Sequence, residues 1–432
     1  RPSPPPTRRH VAHPAAAFRL ADVTEAPEDA TAPEVTVALP AVDLLDGIPE
    51  VVIDDAGLQR AIDALARGTG PVAVDAERAS GFKYGQRAYL VQFYRREGGT
   101  WLIDPTGFSD LVALGDALDG TTWILHAASQ DLPCLRELGL DPREVFDTEL
   151  AARLLGKDRV GLGPLVESEL GMHLAKGHGA ADWSRRPLPD DWLRYAALDV
   201  EVLVDLYDLL VEDLARTGKV DFAAQEFRAV LDAPAPGPRQ DPWRRTSGLH
   251  RVRGRRPLAT VRALWGSRDE LARRLDISPG RILPDAAIVA AAVAQPKDRA
   301  ALAGLPEFSK GNGAKHLDRW WRALSEASAL PEDQLPAPAL PTDGPPPPRV
   351  WKDKDPEAAS RLARARAALT AIAEARSIPV ENLVPPEAVR RAAWRPPAPL
   401  THETVSAALA DAGARPWQVE LAHEALTTAL AD

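Results

Sequence analysis

Asp75 and Glu77, one alanine apart at the end of the apolar run Val72–Val74, are the pair in this chain best suited to chemistry. Side chains two apart on a strand leave the same face, so these carboxylates should project together from the end of a sheet. Like charges held that close repel, and a cation or a shared proton is what makes the pairing cheap. The burial implied by the valines makes an unpaired carboxylate costlier still. Asp131, just after Trp123–His126, and Tyr195 with Asp199, four apart and so on one helical face, extend the set. Taken singly the later three are weak, since an aspartate at a helix start complements the dipole and a helical tyrosine is most often packing. Together, four acids and a tyrosine point to two divalent metals.

The elements around them set the fold. Strands are expected at Val72–Glu77, Tyr89–Tyr94 and Thr100–Ile103, spaced as an antiparallel meander. Then follow a helix near Leu111–Leu118, a strand at Trp123–His126, a helix near Gln130–Leu138, a strand around Glu144–Phe146 and a helix from Thr148. Strand and helix now alternate, which argues for parallel strands with crossover helices. A mixed sheet of this order looks like the ribonuclease H-like α/β fold, over residues 50–231.

At 432 residues, roughly three domains are expected, and 45% apolar content suffices for packed cores. The 41 prolines cluster, marking a disordered tail over residues 1–49 and extended spacers at 232–241 and 331–350. These delimit two helical modules, 242–330 and 351–432. The modules resemble each other, Ile277–Ile288 aligning with Ile378–Val389, so a diverged repeat is expected. Residues 239–326 carry 18 Lys and Arg against 9 Asp and Glu in a chain of net charge −10, leaving −19 elsewhere. A cationic module joined to an acidic domain suggests a grip for a polyanion, although arginine-rich helix surfaces are also commonly just solvated. The lone Cys134 excludes an intrachain disulfide and a thiolate zinc site and suits a reducing cytoplasm. No apolar run reaches the roughly 20 residues of a membrane span, and no signal peptide is evident. The chain opens at Arg1, so its natural start is expected upstream.

Several residues have plainer readings. Asp147, before Thr148 and a helix, reads as an N-cap. His173 and His178 fall in a Gly- and Lys-containing loop best read as surface. Trp265, Trp320 and Trp321 could stack bases but, amid Leu and Ala, read as helix packing.

The order Asp-x-Glu on a first strand, Asp at a later helix start, then Tyr-x-x-x-Asp on a helix resembles the DEDD exonucleases in their tyrosine branch. The strings Leu125–Leu132, Phe146–Thr148, Asp182–Leu188 and Tyr195–Asp199 narrow the resemblance to the ribonuclease D family over about residues 55–215. Leu264–Leu324 is similar to the helical HRDC domain that follows the nuclease there, and residues 351–432 to a degenerate second copy. The resemblance implies a metal-dependent 3′–5′ exoribonuclease that releases 5′-mononucleotides from structured RNA such as transfer RNA precursors, acting as a cytoplasmic monomer with no membrane partner. It implies that Asp75, Glu77, Asp131 and Asp199 hold two Mg²⁺ or Mn²⁺ ions, that Glu77 also reaches the terminal sugar, and that Tyr195 orients the attacking water first and acts as base second. The strand segment Tyr89–Phe93 reads as core, with Gln92 as a secondary candidate for RNA contact beside His126, Lys310 and Lys315; the last two flank glycines that would let phosphate approach backbone amides. Two other readings stay open. One is a DNA-directed exonuclease with the same site, since metals acting on phosphate do not see the 2′-hydroxyl; the other is a noncatalytic RNA-binding protein, against which the intact acidic set argues.

Overall fold

Six strands, β1 (Val51–Val52), β2 (Thr69–Arg78), β3 (Ala88–Arg96), β4 (Gly99–Ile103), β5 (Trp123–Leu125) and β6 (Val145–Asp147), form one sheet in the order β1-β4-β3-β2-β5-β6. The meander β2–β3–β4 is antiparallel, while β1, β5 and β6 join it parallel. The computed structural model describes residues 39–431 apart from 176, 236, 238 and 341–343. The tail expected over residues 1–49 therefore lies outside the described residues up to residue 38. From residue 39 onward it is corrected: Val42 N donates to His173 O at 3.0 Å, Leu45 N to the Glu201 carboxylate at 3.0 Å, and Leu44 is buried. Apolar side chains among the prolines give that stretch a surface to cover.

Each strand expected from the sequence is present within two or three residues of its expected bounds. The short β1 and the helix α1 (Asp55–Arg67) that follows it were not foreseen. The helices α2 (Val112–Ala117), α3 (Leu132–Glu137), α4 (Thr148–Leu154), α5 (Leu162–Leu170), α6 (Asp190–Arg216) and α7 (Val220–Asp232) complete this domain. β2 is central because Val72, Ala73 and Val74 are inaccessible on both faces, and burying each valine contributes about 1.5–3 kcal/mol. Against one face lies α6. It begins after Pro189 with Asp190 and Asp191 in its first turn, where acids complement the dipole, and ends at Arg216, where a cation does. Its buried side includes Ala196, Val200 and Leu203, and Asp199 rides among them.

The first helical module comprises α8 (Arg255–Leu275), α9 (Pro279–Ile282), α10 (Asp285–Ala294), α11 (Arg299–Ala303), α12 (Gly311–Lys315) and α13 (Leu317–Ala329) around its own core. The second comprises α14 (Trp351–Lys354), α15 (Pro356–Arg376), α16 (Val380–Leu383), α17 (Pro386–Trp394), α18 (His402–Asp411) and α19 (Pro416–Ala431). Their opening elements correspond in part. α8 and α15 are each 21 residues, each ends on a left-handed residue, Asp276 (φ 49°) and Ser377 (φ 48°), and each is followed by a four-residue helix. The second module shares one core with the sheet domain: Trp417 stacks on Phe222 at 4.6 Å and donates its indole N–H to Glu226 at 3.0 Å. The stretch expected as a free spacer after α13 is held as well, because Arg255 donates to the Leu335 carbonyl and Arg244 to that of Ala337, both at 2.8 Å.

Candidate active site

Asp75 and Glu77 leave β2 on the side facing α6, and Asp199 of α6 meets them. Oxygens of the three carboxylates lie within 4.8 Å of one another, a spacing that a metal ion can bridge. Glu77 and Asp199 are buried and Asp75 half-buried. The β2–β3 register slips just after Glu77, which turns the strand away and frees Arg78 to reach across. Its guanidinium stands 3.4 Å from Asp131.

Asp131 is placed by a turn rather than by a strand. Ala127 sits in the left-handed region (φ 60°), a conformation costing a non-glycine residue about 1–2 kcal/mol. The Asp147 carboxylate stabilises it by accepting from Ala127 N at 3.1 Å and Ala128 N at 2.8 Å, besides capping α4 through Glu149 N and Leu150 N. Asp147 is thus the expected N-cap with a second task. Asp131 then opens α3 without capping it, so its side chain is left for the cleft. Tyr195, one turn before Asp199, faces that carboxylate. Its ring lies 5.8 Å from His178 and 6.5 Å from Trp183, and a side chain at Gly177 would come within 3.0 Å of it. The loop read as mere surface is therefore packed against Tyr195, the His178 imidazole 3.4 Å from Asp191.

The five residues line one cleft of about 400 Å³, together with His126, Glu149 and Gly179. A hollow of about 840 Å³ in the second module and an apolar groove of about 410 Å³ along β6 and α7 contain none of them. Burial, then repulsion from Asp75, Asp199 and Asp131, pushes Glu77 up to about 10. Burial and then Asp75 raise Asp131 and Asp199 in the same way, while burial leads for Asp75. Tyr195 is also raised, by burial and then by the Asp199 and Glu77 charges, so its phenol keeps its proton at neutral pH. Burial holds His126 down at about 4; it is a neutral imidazole whose Nδ1 lies 2.9 Å from the Thr148 hydroxyl.

One expected RNA contact is corrected, and so is the reason given for two others. Gln92, paired with Asp75 in the β2–β3 register, is wholly buried and outside the cleft. Lys310 and Lys315 are exposed, but their glycines do not form an open phosphate loop. They build α12, with Gly313 packed so that a Cβ would fall 2.2 Å from the Glu307 carbonyl oxygen. Trp320 is core, as read, with Trp265 and Trp321 packed against it. Arg78 and Glu149 were missed. Arg78 directly follows Glu77 in sequence, and that adjacency was the available signal.

Residues 49–215 match the family model described as 3′-5′ exonuclease, 258–324 the HRDC domain, and 344–430 the 3′ to 5′ exonuclease C-terminal domain. A solved structure from Bifidobacterium adolescentis is 36% identical, with a TM-score of 0.84, covering 91% of this chain and all of that one. Ribonuclease D of Gluconacetobacter diazotrophicus is 35% identical over 286 residues, 63% of this chain and 71% of the relative. The chain belongs to the ribonuclease D family. Granulibacter bethesdensis ribonuclease D is also 35% identical, over 53% of this chain and 59% of its own. Ribonuclease D of Escherichia coli, described as an exoribonuclease involved in structured RNA processing, shares the fold at 24% identity and a TM-score of 0.63, over 88% of this chain and 98% of its own. As a ribonuclease D, the protein is a 3′–5′ exoribonuclease, with a ribonuclease H-like mixed sheet followed by a helical HRDC domain. The family implies divalent metal ions, and the donors fit. They are hard carboxylate oxygens, the kind Mg²⁺ and Mn²⁺ prefer, gathered where their negative charge has too little compensation. Among the described residues no helix is long and apolar enough to cross a membrane.

Proposed function

We propose that this ribonuclease D removes 5′-mononucleotides one at a time from the 3′ ends of structured RNA, transfer RNA precursors among them, as a cytoplasmic monomer. The observation that carries the reading is the convergence of Asp75, Glu77 and Asp199 within 4.8 Å in a cleft that Asp131 and Tyr195 also line. Asp75, Glu77, Asp131 and Asp199 would hold two Mg²⁺ or Mn²⁺ ions. Bound there, the ions would supply the positive charge that in-line displacement at phosphorus needs and make water easier to ionise. The protein's own part is placement. Tyr195, protonated, accepts from or donates to the attacking water and aligns it with the scissile phosphate. Glu77, at the mouth of the groove past β2, reaches the terminal sugar. Arg78 draws Asp131 toward the cleft and offers a cation to the phosphate.

The test uses matched 5′-labelled RNA and DNA with single-stranded 3′ tails, incubated with Mg²⁺, Mn²⁺ or chelator beside Asp75→Asn. Metal-dependent stepwise shortening of RNA, lost in the variant, is expected. Equal shortening of DNA would replace the substrate assignment, and tight binding without shortening under any metal would sink the catalytic one.

A further inference from the structure

Glu77 and Arg78 run straight into the stretch 79–87 that joins β2 to β3. Ser80 and Gly81 form one wall of a groove of about 250 Å³ continuing from the cleft past Glu77, and Gly179–Ala181 form the other. Within the stretch, Phe82 N and Lys83 N turn back on the Ala79 carbonyl, each at 2.8 Å. Its further support comes from the first helical module, at the turn between α8 and α9. Ser278 N donates to the Phe82 carbonyl at 2.9 Å. Arg281 Nε donates to the Gly81 carbonyl at 2.7 Å while its guanidinium lies 3.9 Å above the Phe82 ring. Asp276 accepts from Gly85 N at 3.1 Å, and Asp269 from the Tyr84 hydroxyl at 3.1 Å. Tyr84 packs on the module's own core. Gly81 has no side chain, so the bond from Arg281 is made to the groove wall itself.

We propose that Arg281 and Asp276 are positioning residues for the nuclease: the first helical module holds the 79–87 stretch so that the groove beside Glu77 has the width a nucleotide chain requires. This rests on the exoribonuclease reading of the cleft. Arg281 directs its Nε–H to a carbonyl and its face to a ring, so its effect on RNA is indirect. Loosening it acts on capture of the RNA and leaves the carboxylates, on β2, α3 and α6, where they were.

The full chain is compared as wild type, Arg281→Ala, Arg281→Lys and Tyr84→Phe. The readouts are kcat and KM on single-stranded RNA tails, the salt dependence of KM, and amide hydrogen exchange of residues 79–88. Losing a charged hydrogen bond to Gly81 is expected to raise KM about tenfold in Arg281→Ala, with kcat within about twofold. Arg281→Lys, which still donates to that carbonyl, should recover most of it, and Tyr84→Phe should raise KM in the same direction. Exchange in the stretch should quicken in Arg281→Ala while the salt slope stays put. An unchanged KM in Arg281→Ala overturns the proposal. So does a salt slope lowered by about one, which would make Arg281 a phosphate contact. A wild-type chain inactive on RNA would fell the exoribonuclease reading by itself, and unchanged exchange in Arg281→Ala would separately overturn the docking.

Discussion

Replacing Asp199 by asparagine should make the metal-free protein more stable while abolishing its activity. At 4.8 Å and an effective dielectric constant near 20, two ionised carboxylates repel by about 3.5 kcal/mol. Three such pairs would carry roughly 10 kcal/mol, comparable to the whole stability of a domain, so the metal-free site cannot keep all three charged. It takes up a proton instead, shared among carboxylates that are all raised, Glu77 being pushed up to about 10. A folded-state value above the ordinary one near 4.5 contributes stability that is full below pH 4.5 and is lost steadily as pH rises toward 10. At pH 7.5 the loss is about three pH units, or about 4 kcal/mol. Asp199→Asn removes one charge from the cluster and keeps an acceptor for Tyr195. Recovery of about 2 kcal/mol should raise Tm in chelator by about 4–8 °C, more at pH 9 than at pH 6. Calorimetry in chelator and in Mn²⁺ reads both arms: wild type should gain strongly from Mn²⁺ and the variant little. Titrating Mn²⁺ in buffers of different ionisation enthalpy should show about one proton released per wild-type site at pH 7.5. A variant no more stable than wild type in chelator, together with metal uptake that releases no proton, would refute the electrostatic argument.

Tyr195→Phe keeps the ring against Trp183 and His178 and removes only the hydroxyl; kcat should fall at least about a hundredfold, a water-positioning loss, with Tm unchanged. Because the phenol is raised above its ordinary value, the wild-type pH–rate profile should show no rising limb belonging to tyrosine below pH 10, and such a limb would reassign it as a base. Asp147→Ala strands four backbone amides and releases the Ala127 turn; stability should drop by about 2–4 kcal/mol in urea unfolding. Activity should fall with it, although Asp147 touches no substrate. Trp417→Ala should destabilise the docking of the second module by about 3–5 kcal/mol, seen as its helices melting ahead of the sheet domain by circular dichroism.

Where the sequence was legible, one local rule tied residue type to placement. Val72–Val74 must be buried, so the acids after them must share an end of the sheet, and the period of a helix must stack Tyr195 over Asp199. Asp131 obeyed no such rule. Its position depends on a left-handed alanine that only the Asp147 carboxylate, twenty residues after that alanine, makes tolerable. Gln92 shows the opposite case: its segment Tyr89–Phe93 is the core the sequence pattern described, and its polar side chain is buried with the rest. The glycines of Lys310–Lys315 were read as openings for a ligand, yet Gly313 is small because the Glu307 carbonyl occupies the space. A glycine records close approach without recording what approaches.

Charge shows the same gap between composition and geometry. The excess of basic residues over 239–326 suggested a polyanion grip, but several of those arginines are committed within the protein. Arg255 and Arg244 hold carbonyls after α13, Arg268 pairs with buried geometry to Asp285 at 2.7 Å, and Arg281 holds Gly81. An arginine bonded to a carbonyl gives up that donor but none of its charge, because the carbonyl neutralises nothing, and the acids that pair with Arg268 and Arg244 are already counted in the excess. The long-range field therefore survives the structural use of the side chains. His316 registers it locally, its proton affinity lowered by burial and then by Lys315, Arg319 and Arg274. Attraction of RNA and contact with RNA are thus separate properties here. The first follows from a count of residues, and the second only from knowing which guanidinium groups the fold has already engaged.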